Sequence, residues 1–257
     1  MTCWGAWSWP GTRGACSESG TSRAATWGER MRNGNIALLC LAVLTGCGGG
    51  GGGGGDSGPP PPATVNAAAA WQNVITSQRT VTATGQASDG RTYLLAYTVT
   101  PGAVVSLNGV DARRVDLSGV LKRDGTTVST TTSTVFLRSG STQVIALQRS
   151  DGSCALIPNG SVPPASAVIN QSGALYAADI QSSCSTLDFS FERETNTWSV
   201  EADGSAALFC INTTSTGLAI VSPHLQQMCV QTNASGAIGG VVRVSITSGT
   251  LSMILRG

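Results

Sequence analysis

The chain has 257 residues, 41% hydrophobic and only 11% charged, with 15 Lys and Arg against 14 Asp and Glu. So even a balance supplies no basic face for nucleic acid or anionic lipid. Abundant Thr, Ser, Val and Gly favour strands and turns over helices.

Residues 1–30, with Trp4, Trp7, Trp9, Trp27, Cys3 and Cys16, show neither strand alternation nor a helical stripe. They precede a segment that works as a signal peptide by itself, so they are expected to be a start called too early or a leader, outside the fold. From Met31 the order is one cation, Arg32, then Asn33, Gly34 and Asn35, then nine apolar residues from Ile36 to Leu44. Nine helical residues span only about 14 Å, too short for a bilayer and right for the core of a secretory signal.

The apolar run ends in Leu44, Thr45, Gly46, Cys47. This tetrad resembles the lipobox of bacterial lipoprotein signal peptides: aliphatic, small, small, cysteine. The resemblance implies that residues 31–46 are a signal peptide, cleaved between Gly46 and Cys47, and that the Cys47 thiol carries a diacylglycerol on an acylated N-terminus. Each buried methylene contributes about 0.8 kcal/mol, so two or three acyl chains hold a protein firmly on a membrane. Gly48 in place of Asp points, under the sorting pattern of such lipoproteins, to the outer membrane. The expected partner is therefore the membrane itself, reached through lipid on Cys47, with an envelope protein or glycan as a further partner.

Residues 47–65 hold a run of eight glycines, Gly48 to Gly55, then Asp56, Ser57 and Gly58, and four prolines, Pro59 to Pro62, a low-complexity spacer with no side chains able to build a core. They are expected to be a disordered Gly/Pro tether, flexible then stiff. From Cys47 onward eleven Lys and Arg face twelve Asp and Glu, and Lys122 is the one lysine.

Residues 66–257 are expected to fold as a mainly β, antiparallel sandwich or barrel-like domain with one short N-terminal helix. They could form one unit or two halves, 66–150 and 151–257. The helix is placed between Asn66 and Ser77, capped by Asn66, with Trp71, Val74 and Ile75 at helical spacing and Trp71 packed as core. Thr80 to Ala87 then alternates, Asp89 and Gly90 turn the chain, and Tyr93, Leu95, Tyr97 and Val99 share one face. Further turn pairs, such as Asn108 with Gly109 and Asp124 with Gly125, suggest strands near 103–108, 112–123, 126–138 and 142–149. The second half suggests strands near 154–158, 174–181, 186–193, 197–202, 206–212, 217–221, 241–247 and 250–256. The run Thr126 to Thr134 has little apolar surface on either face and belongs at an exposed sheet edge.

Cys154, Cys184, Cys210 and Cys229 are an even set in an exported domain, which reads as two disulfides. Short closures favour Cys154 with Cys184 and Cys210 with Cys229. No CxxC or Cys-His cluster suggests zinc. A catalytic set is also missing. His224 is the one histidine and no GxSxG elbow accompanies it. The acids Asp188, Glu192, Glu194, Glu201 and Asp203 cluster, but Asp188 and Glu192 on one strand lie about 13 Å apart, beyond a glycosidase pair. Alternation turns Leu187, Phe189 and Phe191 inward and leaves Asp188 and Glu192 on the wet face of a hairpin whose partner carries Trp198 and Val200. The octaglycine lacks the flanking strand and Gly-Lys-Ser/Thr of a phosphate loop. No catalytic residue, cofactor or metal ligand is therefore assigned. The expected activity is binding or structural at the cell envelope, with an envelope hydrolase or a carbohydrate-binding, adhesin-like module as alternatives.

Overall fold

The computed structural model of the chain describes residues 62–183, 190–217 and 220–257. The signal, Cys47, the tether up to Pro61, Cys184 and Asp188 lie outside those residues; the end of the expected tether is ordered, because Thr64 and Val65 pair with Val168 and Ala167 and Val65 is buried. The elements are β1 (Thr64–Val65), α1 (Ala67–Thr76), β2 (Arg79–Gln86), β3 (Thr92–Leu107), β4 (Val110–Arg123), β5 (Thr126–Arg138), β6 (Val144–Arg149) and β7 (Cys154–Leu156). There follow β8 (Ala167–Val168), β9 (Ser172–Gln181), β10 (Ser190–Asp203), β11 (Ala206–Gly217), β12 (Ile220–Thr232), β13 (Ile238–Ser248) and β14 (Leu251–Arg256).

Twelve of these strands close into one antiparallel barrel in the order β10-β11-β12-β13-β14-β2-β3-β4-β5-β6-β7-β9. Strands from 66–150 and from 151–257 thus share a single barrel. β1 and β8 pair separately as a small two-stranded sheet. Because successive side chains on a strand point to opposite faces, the apolar half of each strand collects inside. Leu95, Val115, Val135, Leu147, Val200, Phe209, Val230, Val244 and Leu255 are all buried. The outer face carries charge instead, in the pairs Arg114 with Asp116, Arg193 with Asp179 and Arg256 with Asp203.

Helix α1 closes one end. Asn66 caps it by accepting from the Ala69 amide at 3.0 Å. Its apolar stripe of Ala70, Trp71, Val74 and Ile75 is buried. It is pinned to the loops at that end: the Trp71 indole donates to the Thr142 carbonyl at 3.0 Å, and Asn73 donates to the Gly236 carbonyl at 2.9 Å. Trp71 is core, as its spacing indicates.

Four expectations about the strands change. The strand through Val99 and the stretch 103–108 are one element, because β3 runs unbroken from Thr92 to Leu107 and absorbs Pro101 and Gly102 in an irregularity of register. The stretches 186–193 and 197–202 are not two strands of a hairpin, because β10 runs unbroken from Ser190 to Asp203; Glu194, Thr195 and Asn196 contain no turn residue with positive φ. Phe191 sits at a bulge where the register shifts between Ser190 and Glu192. A bulge adds one residue and resets the alternation, so Glu192 faces the lumen and not the solvent. Finally, β12 spans a segment with no assigned strand beyond 221. Pro223 and the polar pair Gln226 and Gln227 hide its periodicity, although Met228 and Val230 are buried.

Thr126 to Thr132 is exposed as expected, since β6 pairs with β5 only from Ser133 to Leu137. Cys210 and Cys229 stand directly opposite on β11 and β12 and form a disulfide. Cys154 is disulfide-bonded too.

Gly236 has a φ of 82°, and a Cβ there would lie 2.5 Å from the Asn66 carbonyl oxygen and 2.8 Å from the Ala70 amide nitrogen. Gly236→Ala is expected to lower stability by about 2–4 kcal/mol, combining the left-handed penalty with overpacking against α1. Gly90→Ala, at φ 75° in open space, is expected to lose only about 1–2 kcal/mol. Urea unfolding of the two variants side by side checks the difference.

Candidate functional site

The lumen changes character along its length. The end covered by α1 is apolar, while the middle holds a polar cluster built from strands far apart in sequence. Arg149 is the last residue of β6 and stands opposite Ser133 of β5. Glu192, Glu194 and Asn196 occupy alternate positions of β10 and so share one face. Arg149 grips Glu192 with both terminal nitrogens at 2.7 Å, and the Nη2 group also donates to Glu194 at 2.9 Å. The carboxylates are 11% and 12% exposed and the guanidinium 25%.

The other oxygen of Glu194 is also taken. It accepts from Asn196 at 2.7 Å and from the Tyr176 hydroxyl at 3.3 Å, and Asn196 in turn accepts from Thr213 at 2.7 Å. A buried ion pair of this kind holds only when its remaining lone pairs are satisfied, and here they are. The hydrogen bonds from Arg149 hold the Glu192 carboxyl below its usual range, and those to Glu192 raise Arg149 in turn. Burial, reinforced by Glu194, pushes Tyr176 well above an ordinary phenol, and burial alone lifts Tyr97 to about 12.

Between this cluster and α1 lies a cavity of about 150 Å³. Trp71, Val74 and Ile75 of the helix form its apolar end; Glu194, Asn196, Thr213 and Gln226 contribute its polar side. A groove of about 440 Å³ along β4, β5 and β6 adjoins it, and Leu117, Ser133 and Arg149 line both. Those three side chains are the partition between lumen and groove.

The acids grouped in sequence are thus divided. Glu192 and Glu194 are in the lumen; Glu201 and Asp203 are on the outer face, where Arg243 and Arg256 pair with them. His224 is opposite Ser215, which is opposite Glu194. Two strand spacings place the His224 backbone about 10 Å from that of Glu194, and the histidine does not line the cavity.

Glu201, Cys210 and Cys229 come together on the outer face with donor atoms within 4.8 Å of one another. Their chemistry does not suit a metal, because both sulfurs are spent in the disulfide and Glu201 is paired with Arg243. The Arg243 guanidinium lies over the bond, 3.3 Å from the Cys229 sulfur, and shields it.

The role of Arg149 escapes sequence inspection. Its signal is weak but present: a lone cation ending a strand that begins with four apolar residues, and polar residues at i, i+2 and i+4 in a strand that also buries Trp198 and Val200. Arg149→Met should strand two buried carboxylates and lower stability at pH 7 by about 3–5 kcal/mol. Glu192 in the wild type has a folded value below its usual 4.5. Its stabilisation is therefore complete above about that pH and is lost as pH falls through the lowered value. In Arg149→Met the sign reverses, because unpaired buried carboxylates bind protons more readily folded than unfolded. Denaturant midpoints are expected to fall on acidification in the wild type and to rise between pH 7 and 5 in the variant.

No protein family, curated protein or solved structure matches this chain.

Proposed function

We propose that this protein is a lipid-anchored protein of the bacterial outer membrane that acts by binding and not by catalysis. The observation that carries the binding reading is the lumen: a concave, part-apolar cavity beside charged groups that are already committed to one another. Preformed concave sites with a few convergent polar groups are where small ligands bind. Hydrolysis by the two glutamates needs a proton donor, whereas Arg149 keeps Glu192 ionised. A sugar platform needs exposed rings, whereas Trp71 and Trp198 are 3% and 4% exposed.

The anchoring reading is supported by two features that fit together. The tetrad Leu44 to Cys47 supplies a lipid attachment point. The barrel presents ion pairs outward and collects most of its apolar side chains inward, the reverse of the pattern of a membrane-spanning barrel. Such a barrel stays at a membrane only if something else holds it.

The test is fractionation and intact mass in a Gram-negative host. The expected product begins at Cys47, carries acyl chains and sediments with membranes, and Cys47→Ala is expected to move it to the soluble periplasmic fraction. A membrane-bound Cys47→Ala protein would overturn the anchor.

A further inference from the structure

We propose that the lumen is a binding site for a small neutral amphiphile, roughly a six-membered ring bearing one hydrogen-bonding group. The inference rests on the reading of the lumen as the binding site and adds the chemical class of its ligand.

Size comes first. A cavity of about 150 Å³ matches the volume at which an apolar protein cavity accepts benzene. It leaves no space for a sugar chain, a nucleotide or a long acyl tail. The apolar end is rigid, since Trp71 is fixed by its bond to Thr142 and Val74 and Ile75 belong to a capped helix. A flat or compact apolar body would pack there with little loss of entropy from the protein.

Charge comes next. Arg149 and Glu194 are the charged residues lining the cavity. Both are spent: Arg149 on Glu192 and Glu194, and Glu194 on Arg149, Asn196 and Tyr176. Arg79, whose Nε and Nη2 are buried without a partner near Tyr97, does not line the cavity, so an ionised ligand would meet no free counter-charge on the lining itself and would carry its desolvation cost. A neutral ligand avoids that cost.

The polar contact is what remains. The Gln226 amide and the hydroxyls of Ser133 and Tyr97 line the cavity, and none of these side chains has a hydrogen-bond partner among the described residues. Gln226 offers both a donor and an acceptor, so a hydroxyl or amide on the ligand would be matched. Ser133 is also in the partition to the outer groove, which makes the β4–β6 side the route of entry.

The experiment uses the full-chain product as isolated from membranes and returned to vesicles, with the Trp71 indole N–H followed by NMR. Trp198, buried outside the cavity against Phe209, serves as the internal reference. The probes are phenol, toluene, benzoate and benzylammonium at pH 7. Phenol is expected to shift Trp71 and leave Trp198 in place, at least tenfold more tightly than either ion. Gln226→Leu is expected to weaken phenol about five- to tenfold, the worth of one hydrogen bond, and to leave toluene unchanged. Val74→Phe, which fills the cavity, is expected to abolish both; if it does not fold, the phenol-to-toluene contrast in Gln226→Leu decides. Silence of Trp71 to both neutral probes, ions binding as tightly as phenol, or a Gln226→Leu protein that treats phenol as before would each overturn the proposal. The same sample's mass separates the two readings: an unacylated chain that binds phenol removes only the anchor, and an acylated chain with a silent lumen removes only the ligand.

Discussion

A closed barrel of twelve strands is too wide for its own inward side chains to fill. Eight strands make an interior that side chains just occupy, and sixteen leave a water channel. The chain lies between these limits, and much of its architecture answers the surplus volume. Helix α1 covers one end and supplies Trp71, the largest apolar side chain there. Trp198 lies against Gly173, where even a Cβ would come within 2.8 Å of the indole nitrogen; Trp198 also stacks on Phe209 with ring centroids 6.5 Å apart. In the middle the long side chains of Arg149, Glu192, Glu194 and Tyr176 reach inward and meet. What these do not fill is the cavity.

The same constraint explains why the charged cluster is buried at all. An apolar residue at Arg149 could not bridge from β6 to two carboxylates on β10, whereas a guanidinium spans the gap with a planar fork. Binding two carboxylates to one cation fixes the relation of β6 to β10 across the weakest part of the wall. There β6 and β7 are short, and β7 meets β9 through the one pair Cys154 and Gln181. Cys154 is itself disulfide-bonded, and the ion pair ties β6 to β10 across a place joined by a single ladder pair.

Much of this was legible in sequence, and the parts that were not share a cause. The helix, its Asn66 cap, the strands β2 and β4 to β6, the first half of β3 and the exposed threonine row follow from local periodicity and turn residues, which need no knowledge of distant partners. The opposition of Cys210 and Cys229 follows from a short closure. Glu192 was misplaced because a single bulge at Phe191 reverses the alternation, and a bulge has no residue signature here. β12 was missed because a lumen that is polar in its middle gives Gln226 an inward position, so a strand lining it does not alternate apolar with polar. The candidate site was invisible for the same reason: its members lie on β5, β6, β9, β10, β11 and β12, and only closure brings them together.

Closure itself depends on very little. β14 is held to β2 by the pair Arg256 and Thr84, with an isolated bridge from Ala87 to Met253 and hydrogen bonds between Ser88 and Ser252 just beyond β2, while β13 holds it along its whole length. Loss of the final six-residue strand would leave β2 and β13 as two long free edges in one molecule. Free edges of that kind pair readily with the same strand from a neighbouring copy. A nick or frameshift in β14 would therefore convert a closed barrel into a strand-exchanging, self-associating species, rather than merely into a less stable version of the same fold.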